Sequence, residues 1–254
     1  MEKTFNKLRI FNWLVGLVLL VEGVVMLLIS NNFSLPVTSA YLRFNPISQA
    51  LNPTLQEVTR LQVGPLVAAF LLLSALALFF VAAPKIFDWY VANLKKGANY
   101  ARWIEYSITS SLMIVVISML VGIYDIASLI LIFSLNTTMI FFGWMMELHN
   151  QTTKKTNWTA FYFGGFAGLI PWVAITIYLA GSGGNGGQVP NFVYWIFVSL
   201  FLFFNIFAIN MILQYKKIGP WKDYLFGEKV YIILSLVAKS LLAWQVFFGT
   251  LRPM

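Results

Sequence analysis

One lysine sits where the chain offers nothing to hydrate it. Lys239 lies in Ser235-Leu-Val-Ala-Lys239-Ser-Leu-Leu-Ala-Trp244, inside an apolar run from Val230 to Phe248. Glu228 precedes it by eleven residues and Arg252 follows it by thirteen. At a helical rise those charges stand roughly 16 to 20 Å away, which puts Lys239 near the middle of a bilayer core of about 30 Å. A lysine near the end of a span snorkels to the interface; this one cannot reach it. A bare ammonium at that depth costs at least about 2.5 kcal/mol. The amine is therefore neutral, paired with an acid, or covalently modified. An amine among apolar walls can also condense with an aldehyde, and a nearby carboxylate then holds the protonated imine.

Three acids fall in or near apolar runs: Glu22, Glu105 and Glu147. Glu105 lies in Arg102-Trp103-Ile104-Glu105-Tyr106-Ser107. By depth it is the best partner for Lys239, because helical side chains lean toward their own N-terminus and a buried cation needs an anion. Its rival reading is a helix-start acid favoured by the macrodipole and paired locally with Arg102. Glu147 reads as an interfacial acid, one or two turns from a polar loop. Glu22 reads as protonated and hydrogen-bonded, or facing a water cavity. Ser235 shares a helix face with Lys239 at four-residue spacing, and Asn136 is costly to bury without a partner.

These residues must be carried by membrane helices. The chain is 59% hydrophobic and 10% charged, an integral-membrane composition. Apolar runs predict seven spans, at 10–29, 61–81, 103–124, 126–148, 158–179, 192–213 and 230–248. With so few residues left over, they form one seven-helix domain over 1–254. The expected fold class is an all-α membrane bundle of seven transmembrane helices. The first run is too long for a signal-peptide core, and no small-residue cleavage site follows it.

Between spans three and four the connection is tight, around Asp125. The first outer loop, 30–60, is long, and its stretch 39–44 reads as extended. Long loops of this kind are functional or ordered by a partner. Ala180 to Gln188 reads as a glycine linker. The run Gly164-Gly165-Phe-Ala-Gly168 before Pro171 marks either a close helix contact or a side opening.

Of seventeen lysines and arginines, all but the mid-span Lys239 orient the bundle. Thirteen fall on one side, from Lys3, Lys7 and Arg9 to Lys216, Lys217, Lys222 and Lys229. Only Arg43, Arg60 and Arg252 fall on the other. The positive-inside rule then places the N-terminus in the cytoplasm and the C-terminus outside, in a cell membrane. This placement explains the net charge of +8 without a nucleic-acid partner. With no cysteine and one histidine, His149, disulfides, thiol catalysis and multi-histidine metal sites are excluded. Neither a phosphate-binding loop nor a catalytic triad is visible, so no enzyme and no metal site is expected.

Seven spans with a lysine centred in the last resemble a rhodopsin, and the details resemble the heliorhodopsins. The similar stretches are Tyr231 through Lys239 to Gln245, Trp221-Lys-Asp-Tyr-Leu-Phe-Gly-Glu-Lys229, Trp103-Ile-Glu-Tyr-Ser107, and Tyr124-Asp-Ile-Ala-Ser128 through Asn136. The inverted orientation fits that branch and not the pumping microbial rhodopsins. Ordinary pumps typically carry Asp where Ser235 stands. The resemblance covers essentially the whole chain.

It implies that Lys239 carries all-trans retinal as a Schiff base with Glu105 as its counterion. It also implies that Tyr106, Ser110, Asn136, Met139, Trp172, Phe204 and Ser235 line or tune the pocket. A homodimer in the lipid bilayer is implied, with the first outer loop at its contact, as is a light sensor rather than a pump. Signalling through an unidentified cytoplasmic protein would be its output. Family members carry histidines inside the bundle and this chain does not, so Glu22, Glu147 or water must serve as proton acceptor. The competing reading is a light-driven pump or light-gated channel, which needs proton groups on both sides of the lysine. A transporter would show an inverted repeat, and none is present.

Overall fold

The structure is a computed structural model describing residues 2–182 and 189–253. Eight α-helices and one β-hairpin follow in order: α1 (Glu2–Ile29), β1 (Ser34–Asn45), β2 (Ala50–Gln62), α2 (Val63–Ala82), α3 (Pro84–Lys95), α4 (Tyr100–Leu120), α5 (Ile126–Asn150), α6 (Thr159–Ser182), α7 (Asn191–Lys216) and α8 (Tyr224–Val246). A 3-10 turn (Gly219–Lys222) leads into α8, and a π-helical turn (Phe247–Leu251) extends it. All but α3 are long and apolar enough to cross a membrane. The predicted spans are all present. The linker read at 180–188 lies largely outside the described residues.

Local sequence sets the boundaries. Asn99 caps α4 by accepting from the Arg102 amide at 3.1 Å, Asp125 caps α5 by accepting from Ser128 at 2.8 Å, and Asp223 caps α8 by accepting from Leu225 at 3.0 Å. Each cap satisfies a backbone donor the first helical turn leaves unpaired. The α4–α5 connection is as tight as the sequence indicates.

Leu8, Val15, Leu19 and Met26 form the buried stripe of α1: Val15, Leu19 and Met26 share a core with Val67, Phe70, Leu71 and Ala75 of α2, and Leu8 packs with Val81 of α2 and Phe87 of α3. The opposite face of α1, including Ile10, Leu14, Leu17 and Leu28, is exposed. Such broad apolar exposure suits a surrounding of lipid rather than water.

Two elements were not predicted. The amphipathic α3 starts with Pro84 at its first turn, where a missing amide costs nothing. It turns Phe87, Tyr90 and Leu94 inward. At twelve residues it is too short and too polar to register as a span. The other is the hairpin, which makes the all-α expectation incomplete. The extended reading of 39–44 grows to 34–45, paired antiparallel with 50–62. Asn45 closes its turn by accepting from the Ile47 amide at 2.9 Å. Prolines at 36 and 53 are tolerated because both strands are edges. The Thr38 amide donates to the Tyr124 carbonyl at 2.8 Å, tying the hairpin to the α4–α5 turn.

Candidate functional site

Lys239 on α8 is buried, and its Nζ donates to Glu105 Oε1 at 2.6 Å and to Ser235 Oγ at 2.7 Å. Of the two readings of Glu105, the structure realises the partner of Lys239. Arg102 turns elsewhere. The same carboxylate oxygen also accepts from Ser74 Oγ at 2.5 Å and Thr109 Oγ1 at 2.8 Å. Ser74 and Thr109 escaped the sequence reading. Thr109 stands four residues from Glu105, a helical neighbour spacing that could have signalled it. Ser74 comes from α2, and no local pattern identifies it.

Beside the lysine is a cavity lined mostly by apolar and aromatic side chains, with Lys239 and Ser235 in its wall. Tyr106, Ser110, Met139 and Phe204 line it, as do Trp103, Phe207 and Met211. The Tyr106 ring lies 5.3 Å from Nζ, and its hydroxyl is held by the Tyr231 carbonyl at 2.9 Å. Asn136 and Trp172 stand one side chain back. Asn136 Nδ2 donates to Ser110 Oγ at 2.8 Å, and Trp172 meets the Phe204 ring edge-on at 5.4 Å. Their effect on the cavity runs through those neighbours.

Glycines shape the wall. A Cβ on Gly143 would sit 2.5 Å from the Trp103 ring, and one on Gly168 would sit 2.2 Å from Met139 Sδ. One on Gly165, which also lines the cavity, would meet nothing within 4 Å. This lining fits a long apolar aldehyde. It offers one reactive amine with a carboxylate beside it, a few hydroxyls from Thr109, Ser110 and Ser235, and otherwise hydrocarbon, thioether and aromatic surface.

Of the other acids, Glu22 is hydrogen-bonded, as one of its two readings has it, and Glu147 has more partners than the sequence reading gave it. Glu147 does not face water. It is buried and accepts from Arg102 at 2.8 Å, from the Trp103 indole at 2.5 Å, from the Asn99 amide at 2.9 Å and from the Tyr224 hydroxyl at 2.9 Å. Arg102, one of the thirteen basic residues on the lysine-rich side, is equally buried and also pairs with Glu228. Glu228 accepts from Asn99 Nδ2 at 2.7 Å. Two carboxylates thus share one guanidinium, which Trp103 and Tyr231 cover with their rings at 4.4 and 4.0 Å. The correction has a physical cause: residues 45 and 126 positions from Arg102 become its partners, and helix depth alone cannot report that.

Near this cluster, burial and the charge of Glu228 hold the Tyr90 hydroxyl of α3 well above the usual phenol range, so it stays neutral. A second cavity of about 50 Å³ lies between the cluster and Glu105, lined by Ser74, Tyr90, Asn99, Arg102, Glu228 and Ser235 among others. It has room for about three or four waters. On the other side of Lys239, Glu22 accepts from Ser240 Oγ at 2.6 Å and from the Trp244 indole at 3.1 Å.

A family model described as Heliorhodopsin matches residues 8–251. The chain is similar in fold to the crystal structure of a light-driven proton pump from Leptosphaeria maculans, with a TM-score of 0.66 over 94% of each chain. At 14% identity that likeness carries the fold alone. No curated protein matches the sequence.

Proposed function

Because the chain belongs to the heliorhodopsin family of retinal-binding, light-sensing rhodopsins, we propose that it is a photoreceptor that carries all-trans retinal on Lys239 and signals by changing shape. The observation that carries this reading is the buried Lys239–Glu105 pair at 2.6 Å, at the wall of an apolar cavity. When bound, retinal supplies light absorption and photoisomerisation. Glu105 balances the positive charge held at the lysine nitrogen, and Ser74, Thr109 and Ser235 fix the geometry of that pair. Tyr106, Met139 and Phe204 confine the chromophore, while Ser110, Asn136 and Trp172 hold those walls in place.

The chain moves no net charge. Beyond Glu105, a path toward the lysine-rich end meets Arg102 locked between Glu147 and Glu228. On the other side, both oxygens of Glu22 already accept from Ser240 and Trp244, and Ser235 stands where a second acid would serve a pump. The positive-inside bias puts the lysine-rich end in the cytoplasm. There the segment 214–229 feeds directly into α8 and is the route of output to a cytoplasmic partner.

A second copy covers the hairpin. Cross-strand pairs place Ala40, Leu42, Phe44, Leu51, Pro53 and Leu55 on one face. Leu42, Phe44, Leu51 and Leu55 are all exposed there.

The deciding experiment is an absorption spectrum after adding all-trans retinal, coupled to photocurrent recording in liposomes. The protein becomes coloured, Lys239→Ala stays colourless, and light drives no sustained current. A pigment surviving in Lys239→Ala would refute the attachment. A sustained retinal-dependent current would move the function to a pump or channel.

A further inference from the structure

The lysine-rich end of the bundle holds a third cavity, of about 310 Å³, that the light-absorbing site does not use. It opens among the α3–α4 turn, the end of α5, the α5–α6 connection and the segment joining α7 to α8. Four lysines from three segments converge on it: Lys96, Lys154, and Lys217 with Lys222. Positive charge at this end is expected from membrane insertion, but insertion requires only charges near the bilayer. It does not require them to ring one concavity.

Among the described residues, none of the four makes an ion pair. The neighbouring Asp223 is committed to capping α8. Glu147, the acid in the cavity lining, is paired with Arg102, which it shares with Glu228, so four lysines face at most one net negative charge. Lys217 holds the left-handed position that ends α7, with φ 52, a place that favours glycine. The cavity thus presents unneutralised positive charge around a volume far larger than a few waters.

We propose that this pocket binds a soluble anion carrying two or more negative charges on phosphoryl oxygens. Lysines act as separate point charges that surround a phosphoryl group from several sides, whereas a planar carboxylate calls for the fork of an arginine. No arginine lines the pocket. Trp221 supplies an aromatic wall for any flat organic part. Tyr224, which donates to Glu147 at 2.9 Å, also lines the pocket, so an occupant lies beside the ion cluster next to Glu105.

The test uses the whole chain in nanodiscs of zwitterionic lipid, in the dark and without retinal, titrated calorimetrically with pyrophosphate and with ATP. Its outcome is therefore independent of the photoreceptor reading. The expected result is saturable binding that weakens as salt is added. Lys217→Gln with Lys222→Gln weakens it about tenfold. Lys7→Gln with Lys85→Gln removes the same charge outside the pocket and leaves binding unchanged. Absence of saturable binding at millimolar pyrophosphate and ATP overturns the proposal, as does equal weakening by both variant pairs. In a further arm, nanodiscs contain a phosphoinositide. A pocket-dependent interaction found only there would assign the site to a lipid headgroup and overturn the soluble source.

Discussion

Glu105 is the residue on which the site's electrostatics turn. It receives Lys239, Ser74 and Thr109 on one oxygen, an arrangement that stabilises the carboxylate and fixes its direction. Glu105→Gln keeps the shape and removes the charge. The retinal-loaded variant is expected to change colour: red-shifted if the link to Lys239 stays protonated, near-ultraviolet if it loses its proton. A titration followed by absorbance should show that proton leaving at lower pH than in the parent, because a carboxylate favours the charged form beside it. An unchanged spectrum and titration would pass the role to Glu22.

Arg102 makes a contrasting case at the same scale. Removing it leaves Glu147 and Glu228 buried without their cation, so Arg102→Met should destabilise the fold by about 3–5 kcal/mol. Melting of the retinal-free protein measures this separately from any optical effect.

At the scale of elements, α5 and α6 meet through small residues. Gly168 is closed by Met139 and Gly164 by Phe142 at 3.0 Å, while Gly165 is open. The two readings of the glycine run therefore divide between its members. Gly168 is a contact position, and Gly165 is bare wall at the cavity. Gly168→Ala forces Met139, a cavity residue, to move. It should cost about 1 kcal/mol and shift the pigment spectrum. Gly165→Ala should leave melting temperature and spectrum unchanged. Equal effects of the two changes would contradict this division.

At the scale of the whole molecule, the proposed dimer contact and the proposed output lie at opposite ends. At the hairpin end, Leu42→Asp with Leu55→Asp should convert a dimer to a monomer in light scattering of the detergent-solubilised protein without altering its colour. A dimer that persists would take the hairpin out of the contact. At the lysine-rich end, hydrogen exchange in light and dark should differ within 214–229. There α8 begins, and Trp221 Nε1 donates to Asn210 Oδ1 at 2.6 Å. Identical exchange while the late photoproduct accumulates would exclude that segment as the output.

What the sequence determined by itself follows from costs that act along one helix. Seven apolar runs specify seven spans because an unpaired backbone has no place in hydrocarbon. Lys239 declares a site because a mid-span cation must be answered, and depth makes Glu105 its best partner against the rival reading of a helix-start acid. The tertiary structure decided everything that depends on which helix faces which. Only packing brings Ser74 of α2 to Glu105, draws Arg102 away from its neighbour toward Glu147 and Glu228, and sets Asn136 and Trp172 behind the cavity wall. Only the pairing of Phe44 with Leu51 and Ala40 with Leu55 gives the hairpin an apolar face. A charge reads as interfacial or buried according to its partners, and those partners lie on other helices, where neither hydropathy nor spacing reaches.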